Sequence, residues 1–282
     1  MLISPRPPAT PAEALRESYL DLLMKCLTMW IWEAGDGEQP QPFGSDWKTR
    51  TKTALKDLLR GEKRQEMDQR TKRLLGRDWP RLAHTMIGWK RLESLRLCTE
   101  DVLQRDVPGD LIETGVWRGG ATILMRGVLK AYDDRSRTVW VADSFAGLPP
   151  PDPAKYPVDA GSIHHTVQSL AVSLEEVKSN FERYGLLDSQ VRFLKGWFKD
   201  TLPSAPIQTL SVVRLDGDMY ESTTDAISVL YPKLSVGGYL IVDDYGSVDA
   251  CKAAIEDYRK ANCISETIHQ IDNDGVLWRR TK

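Results

Sequence analysis

The stretch from Gly109 to Gly120, GDLIETGVWRGG, restricts the fold of this chain more than any other. Leu111, Ile112 and Val116 supply the apolar run of a buried strand, and Gly115 suits a tight turn. Gly119 and Gly120 then open a helix whose backbone a ligand can approach. A strand, a glycine turn and a helix in that order predict a nucleotide-like ligand.

Downstream, the same alternation repeats. Ala121 to Tyr132 is predicted as the first crossover helix and Thr138 to Ala142 as the second strand, closed by Asp143. An acid there, about 20 residues beyond the glycine turn, is placed to accept hydrogen bonds from ribose hydroxyls, and it equally suits a cap on the following turn. A long loop from Gly147 to Thr166 carries His164 and His165, and helical spacing resumes from Leu170 to Tyr184. Further strands are expected at Gln190 to Leu194, at Val212 to Leu215 before Asp216, and at Tyr239 to Val242 before Asp243 and Asp244. Helices are expected at Glu221 to Tyr231 and Val248 to Ala261, the first closed by Pro232 and a Gly237-Gly238 turn. Two alternating runs between Glu266 and Arg280, joined at Asp274-Gly275, predict a hairpin. The fold class is therefore α/β, a doubly wound parallel sheet with ligands at the carboxyl ends of its strands.

Ahead of this unit, Pro5, Pro7, Pro8 and Pro11 predict a disordered tail over residues 1–12. Leu15, Tyr19, Leu22, Leu23, Cys26, Leu27 and Trp30 recur at helical spacing, predicting a helix from Glu13 to Trp32 with one apolar face. A Gly/Pro-rich linker spans Gly35 to Gly44. Lys48 to Arg77 reads as a solvated charged helix, and Asp78 to Val107 shows a helix-like pattern. The basic residues between Lys48 and Arg64 are interleaved with acids and lack aromatic partners, and the chain's net charge is -2, so no nucleic-acid partner is expected. The longest apolar stretch, Leu20 to Trp32, contains Lys25 and is too short for the roughly 20 residues that span a bilayer, so no membrane partner is expected. Cys26, Cys98, Cys251 and Cys263 form no C-x-x-C pair, which fits reduced thiols of a cytoplasmic protein.

The acids at the strand ends suggest chemistry. Neighbouring strands lie about 4.8 Å apart, so Asp216, Asp243 and Asp244 can converge on one cation. Three hard oxygen ligands suit Mg2+. Capping of turns and helices is the ordinary alternative for any one of them, and Asp218 stands as an uncertain fourth that could cap the helix near Glu221.

A final hairpin is characteristic of the S-adenosylmethionine (SAM) methyltransferase fold, and a longer set of motifs points the same way. ETGVWRGG, VADSFAGLP, FLKGWFKDTLP, RLDGDMYESTTDA and YPKLSVGGYLIVDDY together resemble the macrocin O-methyltransferase family, from about Trp79 to the C-terminus. The resemblance implies a class I, Rossmann-like methyltransferase fold: a mostly parallel seven-stranded sheet, a C-terminal antiparallel hairpin and an N-terminal helical lid. Residues 13–105 would then be the lid, substrate and dimer region and 106–282 the methyltransferase domain. It implies SAM and Mg2+ as cofactors and, as acceptor, a sugar hydroxyl of a glycosylated natural product such as a macrolide or aminocoumarin. For SAM it implies Glu113, Thr114, Gly115, Val116 and Trp117 at the methionine and ribose side. Asp143 would take the ribose and Ser144, Phe145 and Gly147 the adenosine. Thr85 and Met86 would lie at the amino-acid end and Gly196 and Trp197 at the adenine pocket. Asp216 is implied as both metal ligand and general base, with His164 or His165 as the rival base. Trp30, Trp32, Trp47 and Tyr156 are candidate aglycone contacts. The exposed face of Leu15 to Trp30 suggests a homodimer. A catechol-like acceptor, a non-catalytic SAM-binding protein and an NAD-dependent oxidoreductase remain as alternatives.

Overall fold

The computed structural model describes residues 8–31 and 68–282. The expectations for residues 1–7, the Gly35 to Gly44 linker, the Lys48 to Arg64 basic segment, Trp32 and Trp47 lie outside the described residues.

Strands β1 (Asp110–Thr114), β2 (Val139–Asp143), β3 (Val191–Lys195), β4 (Leu210–Leu215) and β5 (Leu234–Val242) run parallel, and β6 (His269–Gln270) and β7 (Val276–Arg279) form the terminal hairpin. Their spatial order is β3-β2-β1-β4-β5-β7-β6, with β7 antiparallel to both neighbours. Thr114 pairs with Leu215 and Leu215 with Val242, so the ends of β1, β4 and β5 are level. Asp216 and Asp243 therefore leave adjacent strands at the same height.

Side chains alternate across the sheet, as the pleat requires. Leu111, Val141, Val212 and Ile241 face one core; Ile112, Trp140, Val213 and Leu240 face the other. On the first side lie α1 (Pro11–Leu27), α3 (Trp89–Gln104), α4 (Gly120–Ala131) and α5 (Leu174–Arg183). The short α6 (Phe198–Thr201), α7 (Tyr220–Leu230) and α8 (Asp249–Ala261) cover the second. Leu20 and Leu23 of α1 and Leu92 and Leu95 of α3 share a core with the sheet, so the N-terminal helices are part of its packing.

Several boundaries differ from the expected ones for local reasons. Helix α1 starts at Pro11, because Thr10 accepts from the Glu13 N–H at 3.2 Å while Glu13 accepts from the Thr10 N–H at 3.0 Å. It stops at Leu27, before Met29 takes a φ of 56°. The helix-like pattern expected from Asp78 to Val107 is helical only in its second part: after α2 (Gln69–Leu75) ends at Gly76, residues 79–88 are irregular and α3 supplies the helix. Gly76 and Gly88 cross so closely that a Cβ on either would overlap the other's backbone. Arg118 binds the irregular segment by donating to the carbonyls of Arg81 and Ala83 at 2.8 and 2.9 Å. Gly237 and Gly238 lie inside β5, at a register shift against β4, where a turn was expected. Helix α5 begins four residues later than predicted, capped by Ser173 at 3.1 Å from the Glu176 N–H. All four cysteines are free, and no described helix is long and apolar enough to cross a membrane.

Candidate active site

The glycine turn after β1 is a packing device before it is a ligand cradle. Gly115, at φ 82°, lies so close to the turn after β4 that a Cβ would overlap the Asp216 carbonyl oxygen. Gly119 and Gly120 do not open space for a ligand as the sequence suggested. A Cβ on Gly119 would lie 2.9 Å from Val177 Cγ1, and one on Gly120 would overlap the His84 carbonyl. Protein fills that side, and neither glycine lines the cavities beside this turn. Trp117 and Phe145 adopt φ values of 47° and 54°, a concentration of left-handed backbone beside the site that only firm surroundings sustain.

A cavity of about 120 Å³ opens between the turns after β1, β2, β3 and β4. Gly115, Trp117, Asp143, Ser144, Gly147 and Trp197 line it, with Met86 from the irregular segment. Asp143 holds the two turns together: Oδ2 accepts from the Val116 N–H at 2.8 Å and Oδ1 from the Phe145 N–H at 2.7 Å. It thus caps turns, as its alternative reading had it, and still faces the cavity. Burial raises its pKa, against the lowering effect of those N–H donors. Thr114, Phe145 and Gly196 do not line this space. Thr114 and Phe145 are buried, the latter packed 6.4 Å from the Phe193 ring, and Gly196 packs on Thr201.

A second cavity, about 380 Å³, adjoins the first and is strongly acidic. Glu113, Asp216, Asp218, Asp243 and Asp244 line it together with Thr85, Val116 and His164. One carboxylate oxygen from each of Asp216, Asp243 and Asp244 lies within 4.8 Å of the others. Asp244 Oδ2 is buried with no hydrogen-bond partner. Burial, reinforced by repulsion from Asp218, Asp216 and Asp243, pushes Asp244 well above the ordinary carboxylate range. Burial and the same neighbours, Asp216 and Asp243, raise Asp218 to about 7. Crowded like charges with an orphaned oxygen are what a bound cation would relieve, and the hard oxygen donors fit Mg2+.

Arg214, fully enclosed in β4, holds this cluster. It donates to Glu113 and Asp243, and to Asp216 at 2.7 Å. Arg91 from α3 donates to the other oxygen of Asp243. Sequence reasoning missed both arginines, although a charge inside the apolar run LSVVRL was a visible signal. Glu113 keeps Oε2 unpartnered, and burial raises its pKa to about 8. Asp218 makes no hydrogen bond or ion pair among the described residues and takes a φ of 56°. It therefore does not cap α7. Asp159 from the long loop does so, accepting from the N–H groups of Tyr220 and Glu221 at 2.7 and 3.0 Å, a role with no local sequence signal. The same loop presents His164 to the acidic cavity with Nδ1 buried and unpartnered, whereas His165 is exposed and lines neither cavity. Trp30 and Tyr156 also line neither; they pack on Trp89 and Tyr220 at 6.4 and 5.7 Å.

A seven-stranded sheet of this order, with a cleft at its carboxyl edge beside a carboxylate cluster, defines a methyltransferase of the class I fold. The macrocin-O-methyltransferase (TylF) family model matches residues 16–280. Demethyldecarbamoylnovobiocin O-methyltransferase of Streptomyces niveus is 53% identical over 265 residues, 94% of either chain. A tetracenomycin-C 4'-O-methyltransferase of Streptomyces olivaceus, which carries a dimethoxyrhamnosyl group in its substrate name, is 52% identical over 95% of both chains. The solved structure of the O-methyltransferase NovP superposes with a TM-score of 0.82 at 50% identity, covering 95% of this chain and 100% of that one. The chain belongs to the macrocin-O-methyltransferase family and is an O-methyltransferase. That membership sets aside the oxidoreductase and non-catalytic alternatives.

Proposed function

We propose that the protein transfers a methyl group from SAM to a sugar hydroxyl of a glycosylated natural product, assisted by Mg2+. The observation that carries this reading is the shared wall between the two cavities: Met86, Trp117, Leu170, Asp216 and Asp218 line both. A cofactor in the first and an acceptor in the second would meet at these residues. The names of the relatives, one a demethyldecarbamoylnovobiocin O-methyltransferase and one an O-methyltransferase of a rhamnosyl-tetracenomycin C, support a glycosylated acceptor.

When bound, SAM supplies an electrophilic sulfonium methyl group, and the cation supplies a Lewis acid that lowers the pKa of an acceptor hydroxyl. Gly115, Trp117, Asp143 and Ser144 would hold the cofactor, and Asp216, Asp243 and Asp244 the metal. Arg214 keeps the carboxylates together and fixes Asp216 and Asp243 in one orientation. The two duties that the family resemblance implies for Asp216 divide between two residues. Asp216 is engaged by Arg214 and offers its free oxygen as a ligand, whereas Asp218 faces both cavities with no partner and takes the hydroxyl proton. His164 is the weaker base, because burial lowers its pKa below the usual imidazole value. Holding acceptor oxygen and methyl group in one orientation is the largest contribution that such a rigid site can make.

Labelled SAM and a panel of glycosylated metabolites, with and without chelator, test the reading. Asp216→Ala should keep SAM affinity while turnover falls by about 10³-fold or more. Near-normal turnover in that variant, or in excess chelator, would remove the metal-assisted mechanism.

A further inference from the structure

Arg91 has no part in the chemistry above, yet its guanidinium reaches the carboxylate cluster. It rises from the first turn of α3 and is 7% exposed. Nη1 donates to Asp243 Oδ2, while Arg214 Nη2 donates to Asp243 Oδ1, so both oxygens of one carboxylate are held from different elements. The remainder of the Arg91 guanidinium belongs to the terminal hairpin. Nε lies 3.1 Å from Asp272 Oδ2, and Nη2 lies 3.8 Å from Asp274 Oδ2. Asp272 meanwhile uses Oδ1 to accept from the N–H groups of Asp274 and Gly275 at 2.9 and 2.8 Å, which fixes the turn. A Cβ on Gly76 would lie 2.7 Å from Arg91 Nη2, and one on Gly275 would lie 2.8 Å from Cδ. The side chain is thus confined between two glycines. The hairpin turn also touches the loop after β5 directly, the Gly246 N–H donating to the Asp274 carbonyl at 2.7 Å.

We propose that Arg91 is a positioning residue for the divalent-cation site, held by Asp272 of the hairpin turn and acting by fixing the orientation of Asp243. The proposal rests on the metal reading given above. The hairpin thereby gains a second role, since beyond closing the sheet it sets the angle at which one carboxylate meets the cation. Partners that orient a ligand are worth about 10- to 100-fold in metal affinity. The charge of Arg91 acts in the opposite direction, since a fixed cation repels an arriving one. Removal of Arg91 therefore weakens binding if orientation dominates and tightens it if charge dominates.

Mn2+ binding to the full chain with SAM present and acceptor absent, read by electron paramagnetic resonance, separates these outcomes. Arg91→Gln should weaken Mn2+ by about 10- to 100-fold while SAM affinity stays close to that of the unaltered protein; the thermal midpoint should fall, because Asp243 and Asp272 each lose a buried partner. Arg91→Lys, which keeps the charge but spans fewer partners, should fall between the two. Asp272→Asn, which alters the partner of Arg91 and not a proposed ligand, should weaken Mn2+ in the same direction and add nothing on top of Arg91→Gln. Unchanged or tighter Mn2+ binding in Arg91→Gln would overturn the proposal. Should that variant not fold, Arg91→Lys and Asp272→Asn decide by the same criterion. If the unaltered protein bound no Mn2+, the metal reading itself would fall, an outcome distinct from equal binding by protein and variant.

Discussion

The proposed cofactor cleft and the acidic cavity share one wall, but they are built from different material. The cleft is made largely of tight turns, with left-handed backbone at Gly115, Trp117 and Gly147 and a single carboxylate, Asp143, tying two turns together. The cavity is made of side chains that the chain brings from afar: Arg91 and Asp243 are 152 positions apart, and Glu113 and Arg214 are 101 apart. Backbone turns are specified locally, whereas a charge cluster exists only once the sheet has formed. One half of the site is therefore a property of a motif, and the other is a property of the fold.

The largest effect should come from a substitution that erases this distinction. Gly115→Val places a branched side chain at φ 82° against the Asp216 carbonyl, so it strains the cleft and displaces the acidic strand end together. A loss of about 4 kcal/mol or more in denaturant-derived stability is expected, with SAM and Mn2+ binding both impaired. Retention of either at normal affinity would show that the two halves are less tightly joined than their contact implies. Asp143→Ala should instead sharpen the comparison. Charge-assisted hydrogen bonds of this kind are worth about 1.5–3 kcal/mol, so SAM affinity should fall by roughly 10- to 150-fold on that scale with Mn2+ affinity unchanged in calorimetry. An unchanged SAM affinity would remove Asp143 from the cofactor site.

The smallest effect concerns the segment that borders the acidic half. His84 lies beside Tyr184, with Nδ1 2.7 Å from the hydroxyl, and its carbonyl accepts the Gly120 N–H at 2.9 Å. Burial, helped by Arg183 and Arg118, depresses its pKa from 6.5 to about 4. The native state thus keeps the ring neutral while the unfolded state takes up a proton below pH 6.5. Its contribution to stability is full above that value and is lost as pH falls toward 4. His84→Gln should flatten the slope of stability against pH in this window, measured by urea midpoints. An unaltered slope would exclude His84 as a source of the acid sensitivity.

These differences explain what the sequence showed. The parallel strands and their covering helices follow from the alternation of apolar runs and helical spacing, and Asp216 and the pair Asp243 and Asp244 were visible because they end such runs. Asp143 was visible through its distance from the glycine turn. Arg91, Asp159 and Asp272 carried no local signal, because each acts on a partner more than 60 positions away in the chain. Gly119 and Gly120 looked like ligand-facing residues since a sequence cannot show on which side of a glycine the free space lies. The irregular stretch that ends at Gly88 was hidden for a related reason: the close contact of Gly76 with Gly88 exists only in the folded chain.

The outer wall of the acidic cavity, formed by Gly76, Asp78, Trp79 and Asp274, joins the N-terminal region to the last turn of the chain. None of these residues belongs to a parallel strand or to the glycine turn. On the proposed reading, an acceptor in this cavity would contact residues that also hold Arg91, so acceptor choice and the metal site would share the hairpin turn. A change of acceptor sought by exchanging these two segments should therefore alter Mn2+ binding as well, even though the parallel strands stay untouched.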